Sequence, residues 1–253
     1  MRSHAFLGDA LLPYQAAVTA EVAARTGRAI DATRAASLDD LDAIASGEPA
    51  LIYLCGLPYT RLRDRGLPVE PLAAPVSALD PEAGARYRSL LLGRPGLAGA
   101  ALEDLADARL AINGHDSMSG WVLPVGSGLP LDRFAAVEVT GAHRASLDLL
   151  LAAGADAAPI DSMLLAGERI RDDRLDALPV LAAYGPSPAP PVVLVGADAG
   201  LAVELRAVLA ALHEDADGRA ALELGRMLRL DPVADADYDL TRDCDRRAAP
   251  WTP

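Results

Sequence analysis

Residues 134–163 read "FAAVEVTGAHRASLDLLLAAGADAAPIDSM". "FAAVEVTG" alternates in the manner of a strand, and Thr140 or Gly141 opens the helix that follows. In "AHRASLDLLLAAGA", Leu147, Leu150 and Leu151 have the spacing of one buried helix face. "DAAPIDSML" then returns as a second strand. Strand, helix and strand in this order form the βαβ unit, and that unit predicts an α/β fold.

The same alternation runs outward in both directions. Toward the N-terminus, "HAFLG" and "RAIDATRA" are short strands, and "PYQAAVTAEVAARTG" is a helix with Pro13 in its first turn and Gly27 as its stop. "SLDDLDAIASGE" carries a Ser37 cap, and "ALIYLCGLPYT" is an apolar strand suited to a sheet covered on both faces. "VEPLAAPVS", "YRSLLLG" and "RLAING" read as strands, and "ALEDLADA" as a short helix. Toward the C-terminus, five prolines lie within "ALPVLAAYGPSPAPPVVLVG", which reads as an extended return. "AGLAVELRAVLAALHED" and "GRAALELGRMLRL" read as helices, and "DADYDLTRDCDRRAAPWTP" as an irregular tail.

Composition narrows the function. Of the 253 residues 51% are hydrophobic and 4% aromatic, so the core is built mainly from Leu, Ala and Val. A net charge of −13 argues against nucleic acid and against anionic membrane surfaces as partners. A local anion site remains open, because backbone N–H groups act at short range. Cys55 and Cys244 are the two cysteines, and whether they pair stays open. No run approaches the ~18 apolar residues of a membrane helix. "MRSHAFLGDALLPYQ" has no apolar signal core, which predicts a cytoplasmic chain as written, or an extracytoplasmic one if translation starts upstream.

The chemistry concentrates at strand ends. "INGHDSMSG", residues 112–120, hands a strand over to a helix through glycine and two serines. Either Asp116 or Ser117 caps the helix there, or Ser117 and Ser119 join its free N–H groups in holding an anion. His143 falls in the first turn of its helix, either facing solvent or donating to an anion. Asp161 either caps the next helix or accepts from ligand donors. His4, His115, His143 and His213 lack metal-ligand spacing, and "GADAGLAVE" fails the dinucleotide pattern, so no metal or cofactor is expected.

"GLPYT", "NGHDSMSGWVLP", "VEVTGAHRASLDLLLAAGADAAPIDSM" and "GPSPAPPVVL" together resemble the phosphate/phosphite/phosphonate-binding proteins of ABC importers, in the same order over roughly residues 50–195. The resemblance implies a type 2 periplasmic-binding-protein fold: two α/β lobes, a hinge and a central ligand cleft. Lobe 1 would comprise residues 1–111 and 191–253, and lobe 2 residues 112–190. It also implies that Ser117, Met118 and Ser119 hold the oxyanion, with His143, Asp161, Tyr59 and Tyr14 as further contacts. Met118 stands where the family has a hydroxyl residue, so one side-chain donor is missing. The expected function is that of a solute-binding protein for a small anionic ligand, phosphate- or phosphonate-like, serving an ABC permease. The alternatives are a cytoplasmic enzyme with His143 and Asp161 in acid–base roles, and a ligand sensor on the same fold.

Overall fold

The computed structural model describes residues 1–31, 34–196 and 198–252. The chain forms two compact units, Met1–Arg86 with Pro188–Asp239, and Tyr87–Ser187 with Leu240–Pro253. In chain order the first unit begins with β1 (Arg2–Ala5), α1 (Leu12–Thr26), β2 (Arg34–Ala35), α2 (Leu41–Ala45), β3 (Ala50–Tyr53), α3 (Gly56–Asp64) and β4 (Val69–Ser77). The second unit is built from β5 (Arg86–Gly93), β6 (Ala108–Ile112), α4 (Leu123–Gly126), β7 (Phe134–Val139), α5 (His143–Leu151), β8 (Ala157–Asp161), α6 (Ser162–Arg171) and β9 (Val180–Pro188). The first unit resumes with β10 (Val192–Val195), α7 (Ala199–Ala210), α8 (Ala216–Glu223) and β11 (Met227–Pro232), and α9 (Asp239–Ala248) returns to the second.

The first unit holds a six-stranded mixed sheet in the order β11-β4-β10-β3-β1-β2. Its central strands β3 and β10 are buried at every residue, as their unbroken apolar sequences require in a sheet covered on both faces. Ile52, Leu54, Val69, Val193 and Val195 pack with Tyr59, Leu62 and Tyr238 into one core cluster. Helix α1 follows its punctuation: Pro13 sits in the first turn, and Gly27 ends the helix in the left-handed conformation, φ 64°.

The second unit holds a five-stranded sheet in the order β7-β6-β8-β5-β9. Strand β6 runs parallel to both β7 and β8, and β5 is antiparallel to β8. Leu147 and Leu150 of α5 are fully buried against Ala111, Ala158 and Ile160, and Leu151, the third residue of the expected face, is only partly buried against the same cluster.

The boundary between the units differs from the expected one. Residues 87–111 belong to the second unit because β5 and β6 are strands of its sheet. Residues 240–253 also belong there, so the chain passes between the units three times and not twice. The return expected near residue 190 falls after Ser187.

The expected irregular tail contains α9, whose Thr241, Cys244 and Ala248 are buried on one face. The backbone of Cys244 lies so close to Gly126 of α4 that a side chain there would meet its carbonyl at 2.7 Å. "GRAALELGRMLRL" is not one helix: α8 ends at Glu223, Arg226 takes a left-handed turn, and β11 begins at Met227. "ALIYLCGLPYT" leaves the strand at Tyr53 and continues as α3, with Pro58 in its first turn. "RAIDATRA" contributes only Arg34–Ala35 as strand, with Ala32 and Thr33 outside the described residues. "ALEDLADA" forms a single 3-10 turn at Leu102–Asp104.

Cys55 and Cys244 are not joined by a disulfide. No helix among the described residues is long and apolar enough to cross a membrane.

Candidate functional site

Because β6, β7 and β8 are parallel neighbours, their C-terminal ends share one edge of the sheet. Each end delivers one expected segment. After β6 comes "NGHDSMSG", after β7 "TGAH", and after β8 Ser162 at the start of α6. The outer end of parallel strands is where open α/β sheets place their ligands.

The segment after β6 forms a five-residue π-helix, Met118–Val122, a geometry often found at functional sites. Ser117 heads it: its Oγ accepts from Gly120 N at 3.0 Å, and its carbonyl accepts from Trp121 N and Val122 N. The N–H groups of Met118 and Ser119 make no hydrogen bond among the described residues. Two backbone donors are therefore left beside two hydroxyls, the arrangement that suits an oxyanion. The Met118 thioether has no donor hydrogen, so at this position the backbone is the only donor.

The widened turn has a local cause. Pro124 has no N–H, so the carbonyls one turn before it lose their helical donor. Ser119 O is one of these, and it accepts from Ser89 Oγ of β5 at 2.6 Å. Ser89 was not predicted. Its only trace in the sequence is a single hydroxyl preceding the apolar run "LLL". Gly120 is obligatory in a different way. A Cβ there would fall 1.7 Å from Asn113 Oδ1 and 3.1 Å from Ser117 Oγ.

His143, first residue of α5, comes to this turn. Its Nε2 lies 2.9 Å from Ser119 Oγ, within hydrogen-bond distance. Its Nδ1 is buried without a hydrogen-bond partner. Burial pulls its pKa down to about 4, so the imidazole is neutral at pH 7. Thr140 fixes the approach: its Oγ1 donates to Ile112 O at 3.0 Å or Ala142 O at 3.0 Å, and lies 2.8 Å from Ser146 Oγ.

Asp161 takes the capping role at α6. Its Oδ1 accepts from Met163 N at 2.8 Å and Leu164 N at 3.0 Å. Burial pushes its pKa up to about 6, against the pull of those two N–H groups. It pairs with Ser89 across β5 and β8, so it stands one strand away from the hydroxyl that holds Ser119.

The structure thus joins Ser117, Met118, Ser119 and His143, with Asp161 at the same sheet edge. Tyr14 and Tyr59 belong to the first unit. The Tyr59 ring is buried edge-on to Tyr238, centroids 5.0 Å apart, and its hydroxyl donates to Asp235 Oδ1 at 2.6 Å. The Tyr14 hydroxyl is buried in α1 without a partner. Among the described residues, no group of His, Cys, Asp and Glu could hold a metal ion.

Comparison with known proteins bears on the fold and the family. PhnD1 of Prochlorococcus marinus, solved with methylphosphonate, superposes with a TM-score of 0.81 at 14% identity, over 98% of this chain and 97% of its own. A binding-protein component of a Pseudomonas aeruginosa ABC phosphonate transporter gives 0.82 at 14% identity, over 97% and 85% of the two chains. MatC of Rhodopseudomonas palustris, with bound malate, gives 0.60 at 16% identity, over 100% and 98%. These likenesses establish the type 2 periplasmic-binding-protein fold. No curated protein matches the sequence. The family model for the periplasmic phosphonate substrate-binding protein of ABC transporters matches residues 14–238. With that match spanning nearly its whole length, the chain belongs to the phosphonate substrate-binding family of ABC transporters.

Proposed function

We propose that this chain binds a small phosphorus oxyanion, a phosphonate or phosphate, on the extracytoplasmic side and presents it to an ABC permease. The observation that carries the reading is the unpaired pair of N–H groups at Met118 and Ser119, flanked by the Ser117 and Ser119 hydroxyls. Neutral donors of this kind hold an anion without a field of basic side chains, which fits a chain of net charge −13. In this reading Ser117 and Ser119 contact the ligand, His143 supports them, and Asp161 shapes the edge by capping α6.

Isothermal calorimetry with methylphosphonate, phosphite and phosphate tests this. Wild type should bind at least one, and the Ser117→Ala/Ser119→Ala double variant should lose about 3 kcal/mol or more of that affinity. A ligand at 100 times its Kd should also stabilise wild type by about 2.7 kcal/mol. A folded wild type that binds none of the three would refute the reading. Product formed from the bound ligand over many turnovers would replace it with the enzyme reading.

A further inference from the structure

We infer that Thr252 is a positioning residue for oxyanion binding: through Trp121 it holds the Met118–Val122 turn in the shape that presents its donors to the ligand. The inference rests on the oxyanion reading above. It gives a binding role to a residue 131 positions further along the chain than the tryptophan it holds.

Trp121 belongs to the π-helix and follows Ser119 by two residues. Its backbone N–H donates to Ser117 O at 3.1 Å, and Val122 N reaches the same oxygen at 3.0 Å. One acceptor is thus shared between a four-residue and a five-residue reach, and the turn sits between α and π geometry. The position of the Trp121 backbone therefore sets the position of Ser117. The Trp121 side chain is 3% exposed and is held at two points. Its Nε1–H donates to Thr252 Oγ1 at 3.0 Å, and its ring meets His115 edge to face, centroids 4.7 Å apart.

The chemistry of the indole fixes the direction of this bond. An indole N–H only donates, so Thr252 Oγ1 is the acceptor. The Thr252 hydroxyl hydrogen goes to Ala248 O, 3.2 Å away on the last residue of α9. One oxygen atom thereby ties the turn to α9. The anchor is firm, because α9 buries Thr241, Cys244 and Ala248 and its Cys244 backbone presses on Gly126 of α4, the helix that continues the turn. All of these residues lie in the second unit. Ser119 is held from β5 by Ser89, and Trp121 from beyond α9 by Thr252, so the turn is fixed on both sides of Gly120.

Calorimetry with methylphosphonate and phosphate tests the inference, at a temperature where circular dichroism shows every variant fully folded. Thr252→Val keeps the side-chain shape and leaves a buried indole N–H without its acceptor. Its Kd should rise about fivefold or more. Thr252→Ser keeps the hydroxyl and should stay within about twofold of wild type. In Trp121→Phe the N–H is gone, so adding Thr252→Val should change Kd by less than about twofold. An unchanged Kd in Thr252→Val, even with a lowered melting temperature, means a contact that serves the fold alone and overturns the inference. A further loss on adding Thr252→Val to Trp121→Phe also overturns it. Hydrogen exchange reads the turn without any ligand, at the Gly120 amide that donates to Ser117 Oγ. Exchange there should speed up about tenfold or more in Thr252→Val, and an unchanged rate overturns the inference. A wild type that binds neither anion overturns the oxyanion reading and this inference together, whereas binding that ignores Thr252 overturns this inference alone.

Discussion

Replacing Asp161 by Asn separates a capping carboxylate from a ligand-binding one. Asn keeps the oxygen that accepts from Met163 N and Leu164 N, and it removes the charge. Asp161 is 9% exposed, and burial raises its pKa from 3.8 to about 6 in the folded chain. For an acid with a raised folded pKa, the native state binds more protons than the unfolded state between those two values. Its contribution to stability is therefore greatest below pH ~4, falls as pH rises through the folded pKa, and is level above it. At about 1.4 kcal/mol per pH unit, the full cost of ionising Asp161 in place is about 3 kcal/mol. The Asn variant avoids that cost, but its NH2 group needs new partners, so the expected net gain above pH ~6 is about 1–3 kcal/mol. Below pH ~4 the variant and wild type should be nearly equal. Urea unfolding between pH 4 and 8, followed by tryptophan fluorescence, reads this. Trp121 and Trp251 both lie in the second unit, so the signal reports the unit that contains Asp161. A stability difference independent of pH, or a variant weaker than wild type at pH 7, would refute the reasoning. If Asp161 serves only as a cap, oxyanion affinity should change by less than about twofold.

Two further substitutions probe the site and its neighbouring unit. Gly120→Ala should destabilise by about 2–4 kcal/mol, since its methyl group would fall on Asn113 Oδ1 and push on the Ser117 cap. Oxyanion binding should fall with it, and Asn113→Gly in the same chain should restore part of the melting temperature; a wild-type melting temperature for Gly120→Ala alone would sink the idea. Tyr59→Phe removes the hydroxyl that donates to Asp235 and should cost about 1–2 kcal/mol in urea unfolding of the first unit, followed by far-UV circular dichroism. An unchanged unfolding midpoint would show that this hydrogen bond contributes nothing to the fold.

Several features were legible from the sequence for physical reasons that act locally. Pro13 and Gly27 bracket α1 because one presets the helical φ and the other accepts the left-handed turn that closes it. The leucines of α5 point inward because a helix repeats every 3.6 residues. The motif residues Ser117, Ser119 and His143 stood out because hydroxyls, glycine and histidine gather at strand ends. Their common edge follows from the parallel βαβ order. Other features depended on partners distant in sequence. The tail looked irregular because α9 buries only Thr241, Cys244 and Ala248, residues too small to mark an apolar stripe. β11 looked helical because "RMLRL" suits either geometry until β4 offers its edge. The boundary between the units moved because strand pairing, not chain order, assigns β5 and β6 to the second sheet.

The choice between bland and functional readings lay outside the sequence as well. Ser117 is both a cap and the head of a turn with two unpaired donors. Asp161 is a cap in place, and only its burial shows that its charge is costly. Ser89 and the contacts at Ser119 depend on two strands, a proline without an N–H and a histidine 24 residues further on. The sequence by itself determined the elements and the residue types that could hold an anion, because propensity and periodicity act over a few residues. The tertiary structure alone decided which of their donors are left unpaired, because hydrogen bonds between distant segments exist only once the sheet has formed.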